Sequence, residues 1–214
     1  MTRRALIGVF GGTFDPVHIG HVQSARELKQ LLQLDELRLL PCHRPPHRAT
    51  PGVSSEDRLA MVGLAIADEP GLLVDGRELK RDAISYTVDT LSELRGELGE
   101  QPALCLIMGT DAFANLTQWH RWQALLTMAH IIVMARPDSS VPTSGELAKL
   151  IAERRVSSPS QLSDQPAGSI LLVSLTAYPV SATSIRRSLA KGDSVESLLA
   201  PAVLNYIEQH RLYR

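Results

Sequence analysis

The sequence predicts an α/β fold in which a mostly parallel, doubly wound sheet carries helices on both faces. Short apolar segments typical of buried strands alternate along the chain with longer segments whose apolar residues recur at helical spacing. Such alternation indicates βαβ units. The 214 residues are 44% hydrophobic and 21% charged, values typical of a globular core. We therefore expect residues 1–214 to form a single domain, with a helical segment from about 184 to 214 packed on it.

The predicted strands are short and mostly apolar. The first, Ala5–Phe10, is a continuous apolar run, as expected for a strand that is buried on both faces of a parallel sheet. The others are Glu36–Leu40, which Pro41 stops, Leu72–Val74, Ala103–Met108, His130–Ala135 and Ser169–Leu175.

The predicted helices follow from spacing and capping signals. Ser54-x-x-Asp57 resembles a capping box that opens a helix to about Ala67. Thr87 can cap a helix that Gly99 ends. The remaining predicted helices are Ile19–Leu32, Trp122–Ala129, Glu146–Arg154, Ser184–Lys191 and Ala202–His210, and Val156–Gly168 is expected to be an exposed connection.

Bulk properties exclude several classes of protein. Lys and Arg number 22 against 23 Asp and Glu, which argues against a surface built to hold nucleic acid. Two cysteines, Cys42 and Cys105, do not suggest a disulfide framework. The apolar run Ala5–Phe10 is too short for a signal-peptide core or a membrane span. We therefore expect a cytoplasmic protein with neither nucleic acid nor a membrane as partner.

Ligands of doubly wound sheets bind outside the carboxyl ends of the strands. The loops expected there are Gly11–His18, Pro41–Arg48, Gly109–Trp119, Arg136 onward and Tyr178–Arg187.

The loop after the first strand carries the strongest chemical signal, Gly-Gly-Thr-Phe-Asp-Pro-Val-His-Ile-Gly-His. Gly11 and Gly12 let the backbone approach a ligand and expose N–H groups to it. His18 and His21 are three residues apart at a helix start, so both can face one ligand. Gly20 lacks a Cβ and leaves room for a phosphate or a base. Together these features predict a phosphate-binding helix start.

Other interpretations of this loop stay open. A Gly-Gly turn is common, and the histidine pair could bind a metal or lie on the surface. The remaining histidines show no metal-ligand spacing relative to the pair. The loop is neither a Walker A motif nor Gly-x-Gly-x-x-Gly, which weakens the case for a dinucleotide-dependent oxidoreductase.

The His18-Ile-Gly-His21 run resembles the ATP-binding signature of the nucleotidyltransferase superfamily, which has a Rossmann-like fold. The longer string from Gly11 to His18 is similar to that of the bacterial nicotinate mononucleotide adenylyltransferases. This resemblance implies a second ATP motif, Ser-x-Thr-x-x-Arg, which the chain matches at Ser181–Arg186. Hydroxyl residues and an arginine at a helix start suit a phosphate.

The resemblance implies roles for the matching residues. His18, His21 and Arg186 would act on the phosphates during catalysis. The ATP-binding residues would be Gly11, Gly12, Thr13, Phe14, His18, Gly20, His21, Asp111, Ser181, Thr183, Ile185 and Arg186.

The family pattern also extends to loops for the mononucleotide. Trp119 would stack on the pyridine ring, and backbone groups near Thr87, Val88 and His120 would bind its carboxylate. The implied substrate-binding residues are Thr13, Cys42, His43, Arg48, Thr87, Val88, Asp111, Trp119, His120 and Arg136. Cys42-His43 departs from relatives that carry asparagine there, which puts both residues in doubt as ligands. Structural explanations remain open, including Trp119 as a core anchor and Cys42 as a small packed residue.

The implied reaction is adenylyl transfer from ATP to nicotinate mononucleotide. It would give nicotinate adenine dinucleotide, a precursor of NAD, and pyrophosphate. Mg²⁺ would accompany the triphosphate as cofactor. Three alternatives remain: another phosphate monoester as acceptor, such as nicotinamide mononucleotide or phosphopantetheine, a non-catalytic nucleotide sensor, and an oxidoreductase.

Overall fold

The computed structural model describes residues 3–45, 52–135 and 141–214. Two predicted substrate-binding residues, Arg48 and Arg136, lie outside the described residues.

Six strands form one sheet in the order β3-β2-β1-β4-β5-β6. The pairs β1–β4, β4–β5 and β5–β6 are parallel, with Leu6 opposite Ala103 and Cys105 opposite His130. The order reverses at β1, as in a doubly wound sheet, which confirms the predicted fold class. The strands are β1 (Leu6–Gly12), β2 (Glu36–Pro41), β3 (Leu72–Val74), β4 (Ala103–Gly109), β5 (His130–Ala135) and β6 (Ile170–Ser174).

Eight α-helices accompany these strands in the described ranges. They are α1 (Ile19–Leu32), α2 (Ser55–Ala65), α3 (Thr87–Leu98), α4 (Thr110–Ala114), α5 (Leu125–Met128), α6 (Gly145–Arg154), α7 (Ala182–Lys191) and α8 (Pro201–Gln209). Short 3₁₀ turns lie at Arg77–Lys80, Leu116–Gln118, Trp122–Ala124 and Pro159–Ser163. Among the helices so described, none has the length and apolarity needed to cross a bilayer.

The predicted helices are found in the structure, most of them with small differences at their ends, whereas the short helix α4 was not predicted. Three further differences are local. Tyr86, not Thr87, is the cap residue of α3, and it makes no side-chain capping bond. The stretch Trp122–Ala129 is not one helix, because a 3₁₀ turn precedes the four-residue α5. The segment Val156–Gly168 is not purely a connection, since Ser158 caps a 3₁₀ turn within it. The predicted cap of α2 is confirmed, because the Ser54 hydroxyl accepts the N–H of Asp57 at 3.0 Å.

The contacts between Cα atoms divide the chain into two compact units. Unit 1 consists of residues 1–10, 27–37 and 86–176, and unit 2 of residues 11–26, 38–85 and 177–214. The assignment of all 214 residues to a single domain stays a prediction.

Unit 1 contains the central hydrophobic core. Ala103–Met108 and His130–Val133 are buried along their whole length, as expected for strands with both faces covered. The Arg95 guanidinium donates hydrogen bonds to three carbonyls, those of Met128, Pro102 and Pro166, at 2.7–2.8 Å. These bonds satisfy backbone acceptors at the amino ends of the strands.

Unit 2 carries the loop after β1 together with the last helices of the chain. Helix α2 packs against α8, and the Tyr206 hydroxyl on α8 donates to the Asp57 carboxylate on α2 at 2.8 Å. The backbone N–H of Ile19, at the start of α1, donates to the Leu198 carbonyl at 2.9 Å. These contacts place the loop after β1 beside residues that follow it by more than a hundred positions.

Replacing Gly8 by alanine is expected to destabilise the fold. A Cβ there would lie 2.4 Å from Leu37 Cδ1 and 2.8 Å from Leu34 Cδ1, both on buried side chains. Overpacking of this kind costs about 1–3 kcal/mol, which urea unfolding would measure. Gly96→Ala is the control, because a Cβ at Gly96 meets nothing within 4 Å and alanine favours an exposed helix. Equal stability of the two variants would contradict the packing argument.

Candidate active site

The loop that leaves β1 is organised around a buried phenylalanine. Phe14 has a left-handed backbone (φ 48°) and a side chain only 2% exposed. A Cβ at Gly12 would lie 2.9 Å from the Phe14 ring, whereas a Cβ at Gly11 would meet nothing within 4 Å. The two glycines therefore differ: Gly11 leaves open space beside the backbone, and Gly12 makes room for Phe14.

The two predicted histidines lie together. Their ring centroids are 3.7 Å apart and the rings are stacked. The Phe14 ring meets the His21 ring edge-on at 5.0 Å. The backbone N–H of His18 donates to Nδ1 of His21 at 3.2 Å, so a neutral His21 carries its proton on Nε2. That Nε2–H remains as a hydrogen-bond donor.

Both imidazoles are neutral at physiological pH. Burial lowers the pKa of His18 to about 4. Burial, and then the neighbouring His18, lower the pKa of His21 to about 3. Nδ1 of His18 is buried and makes no hydrogen bond with any described residue.

Gly20 does not leave an open space for a ligand, contrary to the sequence-based expectation. A Cβ at this position would lie 2.9 Å from Val180 Cγ1 and 3.2 Å from the His18 ring. The missing side chain instead lets α1 approach the segment that leads into α7. Its predicted role in ATP binding would therefore be indirect, through the placement of His18.

The second predicted motif forms the start of α7. The Ser181 hydroxyl accepts the N–H of Ser184 at 3.1 Å, and Ser184 Oγ accepts the N–H of Ser181 at 3.3 Å, which forms a capping box. Ile185 is fully buried and anchors this turn. The Arg186 guanidinium lies beside Thr183, with Nη2 donating to Thr183 Oγ1 at 3.3 Å.

Arg186 joins this turn to the loop after β1. Its Nη1 donates to the Asp15 carbonyl at 2.7 Å and lies 3.7 Å from Asp15 Oδ2. The Arg186 side chain is 37% exposed, so it can still reach a ligand. The two predicted nucleotide motifs thus meet in the structure.

Two residues at this site were missed by the sequence analysis. The Arg58 guanidinium, 1% exposed, donates to the Thr13 carbonyl at 2.6 Å. The Tyr213 hydroxyl donates to Asp15 Oδ1 at 2.8 Å. Burial raises the pKa of Tyr213, so the phenol remains a donor. Arg58 could have been noticed in the sequence, because it is a charged residue on an otherwise apolar face of the predicted helix. Nothing in the sequence around Tyr213 indicates a role at this site.

The loop after β2 is held by a serine. The Ser85 hydroxyl accepts the backbone N–H groups of His43 and Arg44, both at 3.2 Å. Nδ1 of His43 lies 2.7 Å from Ser55 Oγ. Burial, followed by the nearby Glu78, raises the pKa of Cys42 to about 11, so the thiol stays protonated. The backbone N–H of Cys42 donates to the Gly12 carbonyl at 2.9 Å, which ties this loop to the end of β1.

In unit 1 the structure brings together two of the predicted substrate segments. The Tyr86 ring, just before α3, lies 4.4 Å from the His120 ring. Thr87 is half-buried and Val88 is buried at the first turn of α3. The backbone near Thr87 and that near His120 therefore lie on either side of one aromatic contact.

Asp111 and Trp119 lie on the segment that follows β4. Asp111 is exposed in the first turn of α4, and the Thr110 hydroxyl beside it donates to the Met134 carbonyl at 3.1 Å. Trp119 is half-buried, whereas Trp122 is 9% exposed. Trp122 is thus the core tryptophan, and Trp119 keeps a surface for contact.

The described residues contain no group of three or more His, Cys, Asp or Glu side chains that could hold a metal ion. The hydrogen-bond donors near the two motifs are instead two cationic side chains, Arg58 and Arg186, and two neutral ones, His18 and His21. Such donors suit phosphate oxygens. A divalent ion at this site would have to take most of its ligands from a bound triphosphate and from water.

The geometry brings cationic and neutral donors together at the starts of α1 and α7, an arrangement that suits a phosphate. The class of protein follows from comparison with known proteins. The sequence profile described as cytidylyltransferase-like matches residues 9–188. The chain therefore belongs to the cytidylyltransferase-like family of nucleotidyltransferases.

Two curated relatives narrow the group. Each is named "Probable nicotinate-nucleotide adenylyltransferase". The protein of Pseudomonas entomophila (strain L48) is 54% identical over 97% of this chain and 94% of its own length. The protein of Cellvibrio japonicus (strain Ueda107) is 49% identical over 99% of this chain and 100% of its own length.

Solved structures share the fold at low identity. Plasmodium falciparum nicotinic acid mononucleotide adenylyltransferase complexed with NaAD has a TM-score of 0.74 at 16% identity, covering 98% of each chain. The same enzyme complexed with APC has a TM-score of 0.72 at 17% identity and the same coverage. At these identities the likeness establishes the fold.

Mild acid is expected to destabilise the protein through its buried histidines. The pKa is about 4 for His18 and about 3 for His21, against 6.5 for a free imidazole. The unfolded chain binds protons that the folded chain excludes, so the unfolding free energy falls as pH drops below about 6.5. Between pH 7.5 and 5.5 we expect these two histidines to lower the unfolding free energy by about 3 kcal/mol, measured by urea unfolding.

The variant His18→Gln/His21→Gln is the control for this effect. Glutamine does not titrate, so the pH dependence between 7.5 and 5.5 should shrink. The lowered carboxyl pKa values of Asp57 and Glu69 affect stability only below about pH 5, outside this window. An unchanged slope in the variant would show that the fall has another origin.

Proposed function

We propose that the chain transfers the adenylyl group of ATP to nicotinate mononucleotide, giving nicotinate adenine dinucleotide and pyrophosphate in the cytoplasm. The observation that carries this proposal is the meeting of two distant motifs. Arg186, from the Ser181–Arg186 turn, donates to the backbone of Asp15, three residues before the stacked histidines. The names of the relatives support the choice of acceptor.

The reaction balances without a general base. A 5′-phosphate oxygen of the mononucleotide attacks the α-phosphorus of ATP and forms a new P–O bond. The bond from the α-phosphorus to the oxygen bridging it to the β-phosphate breaks, and pyrophosphate leaves. The attacking phosphate is already anionic at neutral pH, so catalysis rests on alignment and on charge neutralisation.

His18 and His21 would stabilise this charge as neutral donors. The hydrogen bond from the His18 N–H fixes Nδ1 of His21 as an acceptor, which leaves Nε2–H to donate to a phosphate oxygen. A nearby anion favours the charged form of an imidazole. The pKa values of His18 and His21 would therefore rise when the triphosphate binds.

Arg186 and the loop backbone would hold the triphosphate. Nη1 of Arg186 already donates to the Asp15 carbonyl. The partly exposed side chain would also contact the departing pyrophosphate. Open space beside Gly11 would let the nucleotide approach the backbone of Gly11, Gly12 and Thr13. Mg²⁺, bound to the triphosphate, would supply further charge neutralisation.

The acceptor would be recognised by residues of unit 1. The half-buried Trp119 would stack on the pyridine ring. The backbone at Thr87 and Val88, at the start of the twelve-residue helix α3, and that of His120 would bind the carboxylate. Asp111 would lie near the nucleotides, and Arg136 would meet the mononucleotide phosphate.

Replacing His21 by alanine should lower kcat more than about tenfold, because it removes a donor to charge that grows in the transition state. Pyrophosphate release at saturating ATP and nicotinate mononucleotide would measure this. His210→Ala is the matched control, since His210 is exposed at the end of α8 and its loss should leave kcat unchanged. A kcat equal to that of the wild type would remove His21 from the catalytic residues.

The acceptor is tested by offering the purified protein ATP, Mg²⁺ and one phosphate monoester at a time. We expect pyrophosphate release with nicotinate mononucleotide at a kcat/KM at least about tenfold above that with nicotinamide mononucleotide. A carboxylate can accept backbone N–H donors with a full charge, which an amide cannot. A preference for nicotinamide mononucleotide or phosphopantetheine would show that the proposed acceptor is wrong. ATP binding without pyrophosphate release from any of them would favour a sensor.

A further inference from the structure

The proposed mechanism assigns no role to the hydrogen bond between Tyr213 and Asp15. It joins residues 198 positions apart and lies beside the guanidinium that the proposal gives to pyrophosphate. Asp15 is only 9% exposed, and its carboxylate has a different partner on each oxygen. Oδ1 accepts from the Tyr213 hydroxyl at 2.8 Å, whereas Oδ2 is 3.7 Å from Arg186 Nη1.

We propose that Tyr213 is a positioning residue that holds the Asp15 carboxylate off Arg186, so that the guanidinium stays available to the triphosphate. This inference rests on the proposed function, because it assumes that Arg186 meets the phosphates of ATP. It adds a specific residue to the nucleotide site and states what the hydroxyl does there.

The distances show that the Asp15 carboxylate is bound more closely to Tyr213 than to Arg186. At 3.7 Å the Asp15–Arg186 pair is longer than the 2.7–2.9 Å of a charge-assisted hydrogen bond. Arg186 instead makes its short hydrogen bond to the backbone carbonyl of Asp15, at 2.7 Å, so its ion pair with the carboxylate is the longer contact. The shorter bond of the carboxylate is to a neutral phenol.

The backbone after α8 turns so that Tyr213 reaches this position. The N–H groups of Arg211 and Leu212 donate to Glu208 and Ile207 carbonyls at 3.2 and 3.0 Å. Arg211 and Tyr213 both have left-handed φ values, 54° and 62°. The left-handed Arg211 and these two hydrogen bonds form a Schellman motif, which ends α8. Tyr213 follows this end directly, so its hydroxyl reaches Asp15.

Loss of the hydroxyl would free the carboxylate to rotate about its Cβ–Cγ bond. Both oxygens could then approach the Arg186 guanidinium and form a bidentate pair, the geometry that arginine favours with carboxylates. ATP would have to displace Asp15 before it could use Arg186. The expected consequence is weaker ATP binding rather than a slower chemical step.

The test is Tyr213→Phe, which removes only the hydroxyl oxygen. We expect KM for ATP and the Kd of ATP measured by calorimetry to rise about fivefold to tenfold, as expected for a charged competitor at the site. At saturating ATP, kcat should stay within about twofold. Unchanged KM and Kd for ATP would overturn the inference.

Tyr206→Phe is the matched control. The Tyr206 hydroxyl also donates to a carboxylate, that of Asp57, at 2.8 Å, and both tyrosines are half-buried. Its replacement should cost a similar amount of thermal stability and leave KM for ATP unchanged. Equal increases of KM in the two variants would show a general loss of stability and would contradict a positioning role.

A double variant distinguishes two causes of weaker ATP binding, rotation of the Asp15 carboxylate and local unfolding. In Asp15→Asn the side chain carries no charge to compete for Arg186, so adding Tyr213→Phe should raise KM for ATP no further. Independent, multiplicative effects of the two changes would overturn the inference.

The two proposals fail in distinguishable ways. Wild-type turnover with nicotinate mononucleotide, together with an unchanged Tyr213→Phe variant, would refute only the role of Tyr213. If the wild-type protein binds ATP without turnover, and Tyr213→Phe weakens that binding, the reaction is refuted and the positioning role is kept. A wild-type protein that does not bind ATP would overturn both.

Discussion

The hydrogen bond from Arg186 to the Asp15 carbonyl is the contact on which the candidate site depends. It ties the loop after β1 to the start of α7, and the other features of the site lie near these two anchor points. The first of the stacked histidines lies three residues after Asp15. Val180 precedes the capped turn and packs against the start of α1. Without this tie, a phosphate would meet two separate helix starts instead of one set of donors.

The fold was predictable because its signals are local. Continuous apolar runs such as His130–Ala135 gave strands with correct bounds, and the spacing of apolar residues gave Ile19–Leu32 correctly as α1. The errors lie where local rules are weak. Tyr86 caps α3 without a side-chain bond, and the five-residue α4 is too short to show a helical period.

The site was only partly predictable, for a different physical reason. His18, His21 and Arg186 belong to strings whose pattern is specific, so their proximity could be expected. For Arg58 the sequence offers a signal that the residue is unusual but no signal of its partner, since the contact is to the carbonyl of Thr13, a group that every residue carries. The separate uses of Gly11 and Gly12 likewise depend on where one ring, that of Phe14, comes to lie.

The long separations in these contacts also bear on how the protein is made. The bonds that complete the loop after β1 span 171 and 198 residues, so neither can form until the chain has been made as far as its later partner. A ribosome would therefore release nearly the whole chain before the phosphate donors could assemble. During synthesis, unit 1 could already pack its strands while the nascent polypeptide still lacked a competent nucleotide pocket.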